Sequence, residues 1–200
     1  MSQQAKTEVH IVPDIETFGL ATTSVVGSIG LVAFTVQGGE VGSLFILPDM
    51  GEQQEFGRTK DRATCEWWNH PDRAEARTQF DGEALSVTLS CNLIRTFVQR
   101  FETKSTTVAG IWGFGADFDN AVLQDLCRMH PGMAAPWNYK LNRCGRTLAA
   151  LYPDVPKPPN KGIHHHALDD ARWEAQWFRS IMMYRNGANN TLKEVLGSLT

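Results

Sequence analysis

Three separated segments of the chain carry acidic side chains and one histidine in a pattern that suits metal chemistry. Asp14 and Glu16 stand two residues apart near the N-terminus, Asp119 lies in the middle, and His165 precedes Asp170 by five residues. Four carboxylates brought together by folding would repel one another strongly unless cations were present. The set therefore predicts a divalent-metal site for phosphodiester hydrolysis.

The ligand types indicate which metal would bind and what the histidine would do. The four carboxylates offer only oxygen, which favours two Mg²⁺ or Mn²⁺ ions over zinc. In such pairs the ions lie about 3.5–4 Å apart, and they activate the attacking water and stabilise the leaving 3′ oxygen. His165, with an unperturbed imidazole pKa of about 6.5, can take a proton from water near neutral pH. Asp117 is an alternative to Asp119 as the third acid, and we favour Asp119.

The run of three histidines at 164–166 allows two ways to form the five-residue gap to an acid. His164 could pair with Asp169, or His165 with Asp170. We choose the second pairing, because it leaves small alanines after the histidine and after the acid. Five residues of helix rotate by about 500°, so the two groups would not share a helix face. We therefore expect His165 in a mobile loop and Asp170 rigid in the first turns of a helix.

The bulk composition is that of a soluble globular protein of ordinary size. The 200 residues are 42% hydrophobic and 20% charged, which suits one domain with a sizeable core. The net charge of −3 gives no sign of a long basic footprint, so we expect a grip on only a few nucleotides. The four cysteines form no CxxC pair, which indicates reduced thiols and a cytoplasmic location. We expect no signal peptide and no membrane helix, since polar residues interrupt the uncharged stretch 20–36.

An antiparallel meander of three strands is predicted at the start of the chain. Val9–Val12 reads as a strand that ends at the first acidic pair, and the period of two puts both carboxylates on one face. Pro13 removes a ladder donor, so we expect an irregularity with Asp14 beyond the regular pairing. Strands at Ile29–Val36 and Val41–Leu47, joined by a glycine-containing turn, complete the meander.

The remaining chain alternates helices and loops with a further strand. Apolar residues at every fourth position from Leu85 to Phe101 predict an amphipathic helix packed on the sheet. The other predicted elements are a polar loop at Pro48–Arg58, a helix capped by Thr59 or Asp61 through Trp68, a strand at Thr107–Trp112, helices at Phe118–Arg128 and Arg146–Leu151, an irregular connection at 130–142, a stiff loop at Pro153–Lys161, and a helix from Ala167 to Tyr184 that ends at Asn186–Asn190 before a short helix at 191–199. Asp119 thus falls at a strand-to-helix junction, where open α/β sheets place their ligands.

These motifs resemble those of the DEDDh exonucleases, the superfamily of the polymerase proofreading subunit and ribonuclease T. The matching motifs are Asp14-Ile15-Glu16-Thr17, Phe118-Asp119 and His165-x-Ala167-x-x-Asp170-Ala171. A wider match over roughly residues 8–185 resembles the branch of the T-even phage exonuclease A and related bacterial 3′-5′ exoribonucleases. It consists of Trp67-Trp68, Trp112-Gly113-x-Gly115-x-x-Phe118-Asp119 and Asn142-Arg143-x-x-Arg146-Thr147-Leu148. Two departures are Pro13 before the first acid and Gly115-Ala116-Asp117 in place of the Asn-x-x of the proofreading enzymes.

The resemblance implies a ribonuclease-H-like fold, for which we predict a mixed five-stranded sheet flanked by helices in a single domain over residues 1–200. It implies two divalent metals held by the four acids, with His165 as general base. It also implies stepwise release of nucleoside 5′-monophosphates from a 3′ end.

Single-stranded nucleic acid is the expected substrate, with DNA favoured. An exoribonuclease with the same site is the alternative, and a catalytically inactive binding module is a weaker one. The candidate substrate contacts are Thr17, Phe18, Trp67, Arg143 and Arg146. A homodimer is expected from family likeness only.

Overall fold

A mixed five-stranded sheet lies at the centre of the computed structural model, which describes residues 5–129 and 133–197, with side chains of the last helix to residue 187. The strands are β1 (Thr7–Thr17), β2 (Val26–Thr35), β3 (Gly39–Ile46), β4 (Thr106–Gly113) and β5 (Asn142–Cys144). Their order is β3-β2-β1-β4-β5. The first three form an antiparallel meander, while β4 and β5 add parallel to β1. This arrangement confirms the predicted α/β class and mixed sheet.

Seven helices flank this sheet in the described part of the chain. They are α1 (Met50–Glu55), α2 (Arg62–Asn69), α3 (Ala74–Arg77), α4 (Val87–Gln99), α5 (Asp119–Arg128), α6 (Gly145–Leu151) and α7 (Ala167–Gly197). Asp61 caps α2 by accepting a hydrogen bond from the Thr64 amide, and Asp49 caps α1 in the same way through the Glu52 amide. None of the described helices is long and apolar enough to cross a membrane.

Two apolar layers cover the two faces of the sheet, and β1 contributes to both. Ile11 and Ile15 pack with α4 and α5 in one layer, whereas Val12 packs with α6 and α7 in the other. Because side chains alternate along a strand, Asp14 and Glu16 fall on the same face as Val12. The strand therefore turns its two acids towards α7.

The expectation of an irregularity at Pro13 was wrong. Strand β1 continues through this residue, with Pro13 opposite Leu31 and Asp14 opposite Gly30 in regular antiparallel pairing. The register shifts occur elsewhere, at Val9/His10 and Glu16/Thr17. Pairing between β1 and β4 ends at Ile11, so only one edge of β1 carries a ladder at Pro13 and a missing N–H is tolerated there.

Helix α7 is fixed to the meander at two levels. A Cβ at Gly30 would stand 2.3 Å from the carbonyl oxygen of Ala167, so only glycine lets the start of the helix approach β2 this closely. Further along, the Arg179 guanidinium donates to the carbonyls of Val36 and Gln37 at 2.9 and 3.1 Å. These contacts position α7 against the strand next to β1.

Several predicted boundaries need correction. The stretch predicted as a polar loop contains α1, and the fifth strand, β5, begins at the end of the stretch predicted as an irregular connection. Helix α7 runs unbroken to Gly197, without the predicted end at Asn186–Asn190 or a separate helix from 191. The buried face of α4 does not contain every fourth residue as predicted, since Leu89 is 45% exposed. A strict four-residue step exceeds the 3.6-residue helical repeat, so residues spaced in this way move around the helix.

Candidate active site

Asp14, Glu16 and Asp170 meet where β1 faces the first turn of α7. Each offers a carboxylate oxygen, and these oxygens all lie within 4.8 Å of one another. Burial raises the pKa of Asp14 and of Glu16 well above the usual range, and neighbouring carboxylates raise them further. Three acids this close need positive charge to be ionised together, so the group can hold a divalent cation.

Asp119 approaches this group from the other side, at the first residue of α5 just after β4. It lies outside the group of three oxygens, yet its charge contributes to the raised pKa of Asp14 and of Glu16. Burial is the main cause that raises the pKa of Asp119 itself from 3.8 to about 7. Asp117, the alternative third acid, is exposed to solvent.

His165 occupies the loop directly before α7, with a backbone φ of 67° that non-glycine residues rarely adopt. Its amide donates to Asp170 Oδ2 at 2.8 Å, and its carbonyl accepts from the Gln79 side chain at 2.6 Å. The imidazole Nδ1 lies 3.9 Å from Glu16 Oε1. These hydrogen bonds hold the backbone of His165 on both sides, whereas a mobile loop was expected. Any movement of His165 would therefore be a rotation of its side chain.

The His165 imidazole is neutral over a wide pH range. Burial lowers its pKa from 6.5 to about 4, with further lowering by the positive charges of His164 and Arg73. The rings of Trp67 and Trp68 stand nearly perpendicular to the imidazole, with ring centroids 4.9 and 6.5 Å away. The imidazole is therefore unprotonated near neutral pH, which is the state that can accept a proton.

The structure separates the two possible histidine and acid pairings. Asp170 joins the group with Asp14 and Glu16, and the Asn160 amide donates to its Oδ1 at 3.0 Å. Asp169 instead accepts from the Ile163 amide at 3.0 Å and so shapes the preceding loop. Asp170, and not Asp169, therefore lies in the group of three acids.

Gln79 organises this corner of the site and was missed from the sequence. Besides holding the His165 carbonyl, its side chain accepts from the Ser28 hydroxyl at 2.7 Å and from the Ala167 amide at 3.1 Å. It thus joins β2, the histidine loop and the start of α7. No sequence signal points to it, since it lies 86 residues from His165 in a polar stretch.

A cavity of about 440 Å³ opens beside Glu16 and His165. Trp67 lines it at 38% exposure, together with Thr17 and with Leu20, which is 84% exposed and was not predicted. The full lining is Ile15, Glu16, Thr17, Leu20, Asp61, Ala63, Thr64, Trp67, Trp68, Phe118 and His165. These walls offer apolar and aromatic surface next to the carboxylates.

Three of the predicted substrate residues do not line this cavity. Phe18 packs against Trp68 and Phe80, with ring centroids 6.2 and 5.5 Å away, so it supports the cavity wall from behind. Arg143 donates to three backbone carbonyls and lines a separate cavity of about 410 Å³. Arg146 donates to the Phe114 carbonyl at 3.1 Å, and its charge lowers the pKa of Asp119, which places it near the acids.

A fifth carboxylate, Glu174, is present on α7 and was also missed. It is 5% exposed, and burial together with the charges of Asp119 and Asp170 raises its pKa well above the usual range. Glu174 follows Asp170 by four residues, a spacing that places both on one helix face. That spacing was the signal available in the sequence.

Solved structures of exonuclease I share this architecture. The chain is similar to E. coli exonuclease I in complex with a 5cy-dT13 oligonucleotide, with a TM-score of 0.61 and 15% identity over 97% of this chain and 46% of that one. For the zinc-bound form of the E. coli exonuclease I complex with single-stranded DNA, the TM-score is 0.57 and the identity is 14%, over 96% of this chain and 43% of that one. For apo exonuclease I, the TM-score is 0.58 and the identity is 14%, over 89% of this chain and 42% of that one. The chain thus spans less than half the length of these proteins, with which it shares the ribonuclease-H-like exonuclease fold.

Fold and motifs together define the class of DEDDh-type 3′-5′ exonucleases. Residues 9–182 match the model of the 3′-5′ exoribonuclease Rv2179c-like domain. The chain belongs to this family, which confirms the resemblance inferred from its motifs and implies dependence on a divalent metal. Among curated proteins no sequence matches.

Proposed function

We propose that the chain is a metal-dependent enzyme that hydrolyses phosphodiester bonds at the 3′ ends of single strands and releases nucleoside 5′-monophosphates. The observation that carries the proposal is the convergence of Asp14, Glu16 and Asp170 beside His165 at the mouth of the cavity. Membership in a family of 3′-5′ exoribonuclease domains supports the direction of cleavage.

The donor set fits two divalent cations that prefer oxygen. Asp14, Glu16, Asp119 and Asp170 would hold them. Burial raises the pKa of Asp14, Glu16 and Asp119, neighbouring carboxylates raise the first two further, and bound cations would offset both effects. All four donors are carboxylates, which favours Mg²⁺ or Mn²⁺ over zinc. When bound, such ions favour the loss of a proton from water and neutralise charge on the phosphate.

His165 would act as the general base. With a pKa of about 4 it is unprotonated at neutral pH and can accept a proton from the attacking water. The water oxygen forms a bond to phosphorus while the bond from phosphorus to the 3′ oxygen of the preceding nucleotide breaks. That oxygen then takes a proton from solvent, and the 5′ phosphate stays on the released nucleotide.

The cavity beside the acids is suited to the terminal nucleotide. Its volume of about 440 Å³ accommodates a nucleoside, and Trp67 and Leu20 provide exposed apolar surface on which a base can stack. Stacking of this kind depends little on base identity, because every base has a π-face. We therefore expect cleavage with little sequence preference.

RNA is the principal substrate that we infer, because the family is described by exoribonuclease activity. DNA, which the sequence analysis favoured, is the second candidate, since the exonuclease I structures contain single-stranded DNA. A homodimer and a cytoplasmic location stay predictions.

Matched RNA and DNA oligonucleotides with 5′ labels test the proposal at one salt concentration. We expect a ladder that shortens from the 3′ end in Mg²⁺ and stops in chelator, with faster shortening of RNA. Asp170→Asn should abolish cleavage without unfolding the protein. Full cleavage by this variant would reject the assignment of the site, and binding without any product would indicate an inactive binding module.

A further inference from the structure

Glu174 is a buried acid near the candidate site, at a position that none of the family motifs contains. Its carboxylate is 5% exposed, and Oε2 is buried without a hydrogen-bond partner among the residues that the structure describes. A buried carboxylate oxygen without a donor is costly, because the group has lost water and gained nothing in return. A carboxylate with a purely structural role would be expected to have such a donor.

The surroundings of Glu174 are acidic. The charges of Asp119 and Asp170 raise the pKa of Glu174. Glu174 in turn raises the pKa of Asp14 more than any other charged group does. Glu174 therefore faces the same space as the other carboxylates, from one helical turn further along α7.

The positive charge of Lys157 does not satisfy Glu174. Lys157 is exposed, and its ammonium lies over the rings of Trp177, Trp173 and Phe114, at 4.7, 5.3 and 5.5 Å from their centroids. Its charge lowers the pKa of Glu174, but by less than burial, Asp119 or Asp170 each raise it. A donor on a bound group, such as a water molecule of a hydrated cation, would give Oε2 the partner that Lys157 does not provide.

We propose that Glu174 is a fifth carboxylate of the cation site and strengthens the binding of divalent cations. This inference rests on the proposed function. Glu174 is absent from the set of oxygens within 4.8 Å of one another, so it is a positioning residue that acts beyond the direct ligands. It would supply negative charge and an acceptor for water in the hydration shell that Mg²⁺ and Mn²⁺ usually keep.

Calorimetric titration with Mn²⁺ and thermal unfolding test this role without relying on activity. Glu174→Gln keeps the size of the side chain and removes its charge. We expect Mn²⁺ to bind about 10- to 100-fold more weakly to this variant, the range found for residues that support metal ligands. In chelator the variant should unfold at a higher temperature than the wild type, since a repelled buried charge is gone. The matched control is Glu55→Gln, an exposed residue on α1, which should change neither quantity.

The outcomes separate the inference from the function on which it rests. If Glu174→Gln binds Mn²⁺ as tightly as the wild type while Asp14→Asn does not bind it, the role of Glu174 is refuted and the proposed function stands. If the wild type itself binds no Mn²⁺, the proposed function fails. A Glu174→Gln protein that is unfolded or less heat-stable in chelator would assign the carboxylate a structural role and also overturn the inference.

Discussion

Removal of the Asp119 charge should stabilise the metal-free protein while it abolishes cleavage. Burial raises the pKa of Asp119 from 3.8 to about 7. At about 1.36 kcal/mol per pH unit, this difference corresponds to at most about 4 kcal/mol. For a group whose pKa is raised on folding, this stability is fully present below the unfolded pKa and is lost as pH rises through the folded value. The wild type should therefore lose stability between pH 4 and pH 7.

Asp119→Asn has no such charge to lose, and the Asn oxygen can still accept hydrogen bonds. In chelator at pH 8 the variant should exceed the wild type by up to about 4 kcal/mol, or roughly 8–16 °C in unfolding temperature for a protein of this size. At pH 4 the two should coincide. Addition of Mn²⁺ should reverse the order, because the intact site gains free energy from binding.

Denaturant or thermal unfolding at four or five pH values measures this difference. Asp117→Asn, an exposed change two residues earlier, is the control and should lie within about 0.5 kcal/mol of the wild type at every pH. A variant less stable than the wild type at pH 8, or a difference that does not vary with pH, would refute the electrostatic account of Asp119.

Three further changes test how the site is built. Gly30→Ala should cost about 1–3 kcal/mol and most of the activity, because its Cβ would collide with the Ala167 backbone. Gly187→Ala is the control: its Cβ has open space among the described side chains, so thermal unfolding should show an unchanged or higher stability. Gln79→Leu leaves buried groups unpaired and should cost roughly 1–3 kcal/mol with a fall in kcat, whereas unchanged kcat would show that the histidine loop does not depend on it. Mn²⁺ affinity should fall as the pH drops below 7, because protons compete with the metal for the carboxylates, and Asp119 has a pKa of about 7. An affinity that stays constant down to about pH 4, the pKa of His165, would contradict this expectation.

The parts of the site that follow strand and helix periodicity could be predicted from the sequence. Asp14 and Glu16 share a face because a strand alternates, and the break before α7 separates His165 from Asp170. Both inferences need only local rules. The resemblance to the DEDDh exonucleases then linked these segments across more than 150 residues, which local rules cannot do.

The parts that depend on distant partners could not be predicted in the same way. Strand β5 has three residues, and its pairing of Asn142 with Ile111 comes from the tertiary fold. The role of Gln79 depends on groups from two distant segments. Glu174 is a different case. Its four-residue spacing from Asp170 was visible in the sequence, but it lies in a helix whose alanines, Phe178, Ile181 and Met182 were read as core.

The two anchors of α7, at Gly30 and at Arg179, also bear on how the site discriminates among ions. They hold the helix to the meander on both sides of Glu174, so the spacing between the acids of β1 and those of α7 is set by folding alone. A rigid cage of this kind accepts ions by radius and coordination geometry, with little backbone adjustment on loading. Ca²⁺, which is larger than Mg²⁺ and takes more ligands, should therefore enter poorly and act as an inhibitor at best.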